Sequence, residues 1–245
     1  MIHYHGTPIS GSDPEKFLMG RHALVPFMYP LHLEAVMECC QSFVLDNSAF
    51  SYWRKGGALD VDAYYRWVKS LEGHPGLDWC LIPDKIDGDE KDNMRMIQDW
   101  RNKRLKVKSV PVWHLHESLE YLDWLIVTFD TVAFGSSGEW SHPGSKAWWL
   151  RMEEAMNVAC NEEGKPRARF HGLRMLDPRI FTKLPFSSAD STNAGVNAGS
   201  TSRFGIYIPS TAGRRATVIA DRIEMHNSAQ SWVRPLIQED MFDES

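Results

Sequence analysis

Short apolar runs alternate with stretches of helical periodicity along this chain of 245 residues, and that alternation restricts the fold more than any other feature. The runs fall at residues 2–6, 23–27, 43–46, 79–84, 110–116, 131–135, 168–175 and 186–190. Each has the length and composition of a buried strand, although Pro26 weakens the second. Between them, apolar residues at helical spacing predict helices over 31–40, 60–71, 91–100, 119–127, 145–160 and 178–184. In the second of these, Val61, Tyr64, Tyr65 and Val68 follow the i, i+3, i+4, i+7 rule, and Asp60 stands at its start. In 145–160, Trp148, Trp149, Met152, Ala155, Met156 and Ala159 share one side.

Eight strand–helix units at a spacing of roughly 25–30 residues match the size of a (β/α)8 barrel. The expectation is therefore an α/β fold, a single (β/α)8 TIM-type barrel over residues 1–237, followed by an acidic tail at 238–245. An open doubly wound sheet is the alternative, but no glycine-rich dinucleotide fingerprint follows the first strand. Residues 191–202 are rich in Gly, Asn, Ser and Thr and read as a loop. Residues 204–208 read as an extra strand, and 212–232 as a closing helix.

Composition narrows the class. No apolar run approaches the roughly 18–20 residues that span a bilayer, and no signal-peptide pattern opens the chain. Four cysteines, Cys39, Cys40, Cys80 and Cys160, show neither metal-knuckle spacing nor scaffold density, which suits a reducing cytoplasm. A net charge of −5 argues against a generally basic coat, while leaving room for a local basic face at 101–108, 165–169 or 214–215.

In a barrel, the carboxyl ends of the strands converge on one mouth. The residues expected there are His3, His5, Asp46, Asp84, His114, His116, Ser136, Ser137, Gly138, Glu139, His171, Arg174 and Asp190. Asp46 alone would suit a turn cap. Three aspartates at three strand ends are harder to assign to packing, because a buried carboxylate is costly unless paired or hydrogen-bonded. Residues 134–139, Phe-Gly-Ser-Ser-Gly-Glu, offer backbone amides that can approach a planar ligand, and equally suit a tight turn. No Gly-x-Ser-x-Gly elbow surrounds Ser136 or Ser137, so neither reads as a hydrolase nucleophile.

Asp46-Asn47-Ser48-Ala49-Phe50-Ser51 resembles the Asp-Ser-Gly-Gly-Phe-Gln motif after the third barrel strand of the tRNA-guanine transglycosylases. Asp84 on the fourth strand, Gly135 to Glu139 on the sixth, Gly172-Leu173-Arg174-Met175 on the seventh and Asp190 on the eighth fall in that family's order. The resemblance covers roughly residues 40–193, and is nearest in style to the short phage and bacterial relatives that place 7-deazaguanine bases in DNA. It implies base exchange with Asp190 as nucleophile and Asp46 as acid and base. Asp84 would accept from the base, amides near Ser137 and Gly138 would meet its O6, and Glu139 would meet the 7-substituent. Phe50, Trp53 or Met175 would stack on it, and Ser136 and Arg174 would flank it. His114 or His116 stands where the family has glutamine, and Ser48 where it has glycine. No cysteine follows Cys160, so the zinc site of the tRNA-acting members is missing, which favours DNA as partner. The resemblance implies no cofactor and no metal, and allows a homo-oligomer.

Other readings use the same residues. His3-Tyr4-His5 places two imidazoles on one strand face, and with His114 or His116, His171 and Asp190 suggests an amidohydrolase-type metal set. A base-excising N-glycosylase would use the same carboxylates with water. A non-enzymatic nucleic-acid-binding barrel would not need three acids facing a polyanion.

Overall fold

Pro111 explains how the sheet of this protein closes. The computed structural model describes residues 1–10 and 14–234, so the acidic tail at 238–245 lies outside the described residues. Nine strand segments, all parallel, run β1 Ile2–Gly6, β2 His22–Pro26, β3 Ser42–Asp46, β4 Leu77–Leu81, β5 Ser109–Val110, β6 Val112–His114, β7 Thr131–Gly135, β8 Arg169–Gly172 and β9 Ser188–Ser191. Their order is β5-β4-β3-β2-β1-β9-β8-β7-β6. β5 and β6 are two halves of one strand, parted by a proline that has no N–H to give. The Val110 carbonyl accepts from Ile82 on one side (2.8 Å), and the Pro111 carbonyl from Ala133 on the other (2.9 Å). Residues 109–114 thus close the barrel, and nine segments make eight strands.

Alternation along each strand sorts side chains between two cores. Tyr4, Leu24, Val44, Trp79, Leu81, Val110, Val112 and Ala133 fill the barrel interior. Their neighbours Ala23, Val25, Phe43, Leu45, Trp113 and Phe134 face the surrounding helices. Phe134 is fully buried and meets Trp113, Phe170 and Phe186 at centroid distances of 5.3, 5.3 and 6.0 Å. Truncating such a ring to alanine costs roughly 3–5 kcal/mol.

The helices are α1 Pro14–Leu18, α2 Leu33–Cys39, α3 Ala49–Arg54, α4 Val61–Leu71, α5 Glu90–Asn102, α6 Leu119–Thr128, α7 Lys146–Ala159, α8 Pro178–Phe181, α9 Asn193–Asn197 and α10 Ala212–Glu224. Side-chain caps fix several starts: Asp60 accepts from the Ala63 amide (2.9 Å), Ser118 from Tyr121 (3.1 Å) and Ser145 from Trp148 (3.3 Å). No helix among the described residues is long and apolar enough to cross a membrane.

Three expectations at the C-terminal end are corrected. Residues 204–208 form no strand, because a closed barrel offers no free edge to pair with. The stretch read as a loop at 191–202 contains α9. The closing helix stops at Glu224, and the chain then turns back so that Trp232 donates from its ring Nε1 to Asn157 on α7 (2.9 Å).

Candidate active site

Asp46, Asp84, His114 and Asp190 line one cavity of about 290 Å³ at the carboxyl ends of the strands. Register explains the convergence: Asp46 pairs across from Pro26 and His114 from Gly135, both on the inward face. Gly135 is required there, since a Cβ at that position would stand 2.9 Å from His114 Nδ1. Ser48 has φ +61°, the left-handed region, where a non-glycine residue is strained. The left-handed bend at Ser48 returns Phe50 to the cavity wall.

Each aspartate is held differently. Asp190 is almost fully buried; its Oδ1 accepts from the Arg174 amide (3.0 Å) and lies 3.2 Å from His171 Nε2. His171 is itself locked, its Nδ1 2.8 Å from Ser188 Oγ and its ring against Trp79 and Tyr4. Asp84 is engaged on both oxygens, by Asn47 Nδ2 (2.7 Å) and by His114 Nε2 (2.8 Å). Asp46 is held more loosely, by Ser48, whose Oγ gives it a long bond (3.4 Å) and whose backbone amide also favours its charged form. Burial, reinforced by the charges of Asp190 and Asp84, pushes its carboxyl up to about 7. Burial alone would lower the His114 pKa, but the hydrogen bond and charge of Asp84, with Glu117 behind, raise it.

Arg174 joins three parts of the rim. Its backbone is left-handed (φ +59°), its Nη2 donates to the Ser136 carbonyl (2.8 Å), and its guanidinium sits 4.0 Å from the Phe50 centroid. One face of Phe50 is therefore covered by a cation rather than left open. Ser136 and Ser137 also line the cavity, with their hydroxyls engaged by Trp148 Nε1 (2.9 Å) and His116 Nδ1 (2.7 Å).

Other expected site residues lie elsewhere. Met175 is fully buried in the core outside the barrel, because the chain turns after Gly172, so it cannot stack on a ligand in the cavity. Gly138 and Glu139 belong to an exposed 3-10 turn, Gly138–Trp140, beyond the cavity wall. His116 is exposed on the turn that follows β6, two residues past the strand's end. Trp53 is 44% exposed on α3 and does not line the cavity.

The imidazole pair of β1 faces outward. His3 Nε2 lies 2.9 Å from the His226 carbonyl, and His5 Nε2 2.7 Å from Glu224 Oε1, with its ring edge-on to Phe17. Neither reaches the mouth, so the metal set that combines them with His114, His171 and Asp190 is not assembled. Among the described residues no group of three or more His, Cys, Asp or Glu is placed to hold a metal ion.

Asn47 and Glu117 are part of the site without having been expected from the sequence. Asn47 bonds Asp84 and the Ile82 carbonyl (2.8 Å), and its own Oδ1 accepts from the Ala49 amide (2.8 Å). Glu117 accepts from the His114 amide (2.7 Å) and from Asn93 (2.8 Å). The Asn directly after the strand-end Asp was the one available signal.

No family model matches the chain, and no curated protein matches it. Two solved structures from Pyrococcus furiosus are similar to it in shape. One is a mutant tryptophan synthase α-subunit, with 12% identity and a TM-score of 0.49, matched over 92% of this chain and 98% of that one. The other is a tryptophan synthase complex, with 11% identity and a TM-score of 0.48, matched over 92% and 97%.

Proposed function

We propose that this protein is an enzyme, a base-exchange transglycosylase that replaces guanine in a nucleic acid, DNA in preference to tRNA, with a 7-deazaguanine base. The observation that carries the reading is the unequal treatment of two aspartates in one cavity. Asp190 is fixed by two hydrogen bonds on one oxygen, as suits a nucleophile that must be aimed. Asp46 has its carboxyl raised to about 7, as suits a group that gives and takes a proton at neutral pH.

In the first step an Asp190 oxygen bonds to C1′ as the C1′–N9 bond breaks, and Asp46 gives its proton to the departing guanine. In the second, Asp46 takes the N9 proton of the incoming base, whose nitrogen displaces Asp190 from C1′. Two displacements retain configuration, the logic of paired carboxylates in retaining glycosidases. Asp84 still has lone pairs after bonding Asn47 and His114, so it can accept from the N–H edge of a guanine-like base. The target nucleotide must be extruded, because C1′ is unreachable in a stacked duplex.

Mass spectrometry of nucleosides from DNA and from tRNA, after incubation with the protein and a 7-deazaguanine base, tests this. The expected result is a 7-deaza-2′-deoxyguanosine in DNA; no modified nucleoside in either polymer would refute it. Release of guanine with no free base supplied would point instead to a base-excising glycosylase.

A further inference from the structure

Beside the cavity lies a groove of about 700 Å³, walled by α8, α9, α10 and the loop before α10. Four arginines line it, Arg174, Arg179, Arg203 and Arg222, against the single carboxylate of Asp177. This is a concentrated positive site on a chain whose net charge is −5. Arg174 and Thr192 belong to the walls of both groove and cavity, so the two adjoin.

The four cations are not equivalent. Arg179 is paired with Asp177 (2.7 Å). Arg203 Nη1 donates to Asn193 Oδ1 (3.3 Å), and Arg222 Nη1 donates to the Arg203 carbonyl (3.3 Å) while its guanidinium stands 5.7 Å from the Phe204 ring. These are neutral partners, and among the described residues no ion pair joins Arg203 or Arg222 to a carboxylate. Both arginines are exposed, one on a loop and one on α10, so their guanidinium groups are accessible to an incoming ligand. Exposed guanidinium forks on separate elements suit successive phosphates of a chain better than one compact anion.

A cavity of about 290 Å³ has room for a nucleotide's base but not for the strand that carries it. We propose that the groove holds the phosphodiester backbone of the strand flanking the extruded nucleotide, with Arg203 and Arg222 as phosphate contacts. This rests on the base-exchange reading of the cavity.

The test is fluorescence anisotropy with short labelled single-stranded DNA, and RNA of the same sequence, titrated with full-length protein over a range of salt. The protein carries Asp190→Asn so that no turnover occurs. Adding Arg203→Gln and Arg222→Gln should weaken binding about tenfold, and should flatten the slope of log affinity against log salt by about 1.4, or roughly 0.7 per lost phosphate contact. Tighter binding of RNA than DNA would support the groove and change the polymer. Unchanged affinity and slope would overturn the proposal, as would failure of the Asp190→Asn protein to bind either strand. Exchange on the same oligonucleotide by the unsubstituted enzyme separates the two readings. If exchange occurs while the arginines are indifferent, only the groove fails; if binding needs the arginines but no exchange occurs, the groove stands and base exchange falls.

Discussion

At the amino-terminal end of the barrel, Asp78 accepts from Tyr4 Oη (2.6 Å) and from Ser42 Oγ, and it is open to solvent. At the carboxyl-terminal end, Asp46 is held loosely by Ser48 and has two acidic neighbours. The same residue type, on strands that neighbour each other in one sheet, is satisfied at one end and frustrated at the other. A carboxylate with donors and water around it anchors structure. One with few donors, set among other acids, holds a proton that chemistry can use. The contrast extends to imidazoles: His3 and His5 outside the barrel are tied to the C-terminal end of α10 and the turn after it, while His114 and His171 inside it serve the acids.

The sharpest way to break the contrast is to neutralise the acids of the carboxyl-terminal end one at a time. Asp190→Asn should lower exchange on the order of 10⁴-fold, since nucleophile knockouts are of this size or larger, with the fold retained by circular dichroism. Asp46→Asn should lower exchange about 10²–10⁴-fold. In the unsubstituted enzyme, the rate should fall as pH rises through about 7, where Asp46 loses its proton.

The same substitution carries a stability signature. Asp46 titrates near 3.8 unfolded and near 7 folded, so between those values the folded state binds the extra proton and stability declines as pH rises. Asp46→Asn removes that decline. Above pH 7 the variant should be more stable than the unsubstituted protein, by at most about 4 kcal/mol, with the gap closing below pH 4. Urea titrations at pH 4 and pH 8 measure it. Asp46→Asn with no gain at pH 8 would mean that its carboxyl is not frustrated.

His114→Ala leaves Asp84 buried beside Asn47 alone, and should cost about 3 kcal/mol in denaturant unfolding. The smallest effect belongs to the other end. Asp78→Asn should change stability by about 1 kcal/mol or less and leave exchange unaltered. A large loss of exchange in that variant would erase the distinction between the two ends.

Much of the barrel was readable because its signals are local. Strand β7 occupies the expected residues 131–135, and α4 and α7 start at the caps that their sequences advertise. The closure at Pro111 was not, since it depends on which strands meet across the barrel. The three aspartates were found by their place at strand ends. Met175 and Glu139 were misplaced for a different reason: a motif's order survives after its strand has ended, but side-chain direction does not. Strand alternation ends with β8 at Gly172 and with β7 at Gly135, and turns set the direction of the side chains beyond those two glycines. His3 and His5 share one face as their spacing demands, but spacing alone cannot say whether that face is inward. Asn47 showed only as the residue after a strand-end Asp, and Glu117 gave no signal, because it supports the backbone of His114 from beyond the end of its strand.

The proposed exchange turns on a covalent bond between Asp190 and the sugar of the target nucleotide. Intact-protein mass spectrometry after mixing with a guanine-containing single strand, quenched under denaturing conditions, reads it directly. The expected species is heavier by the strand less its guanine, absent from Asp190→Asn, and cleared when a 7-deazaguanine base is added. An adduct of the same mass in Asp190→Asn, or exchange of bases with no adduct at any time in the unsubstituted enzyme, would contradict it.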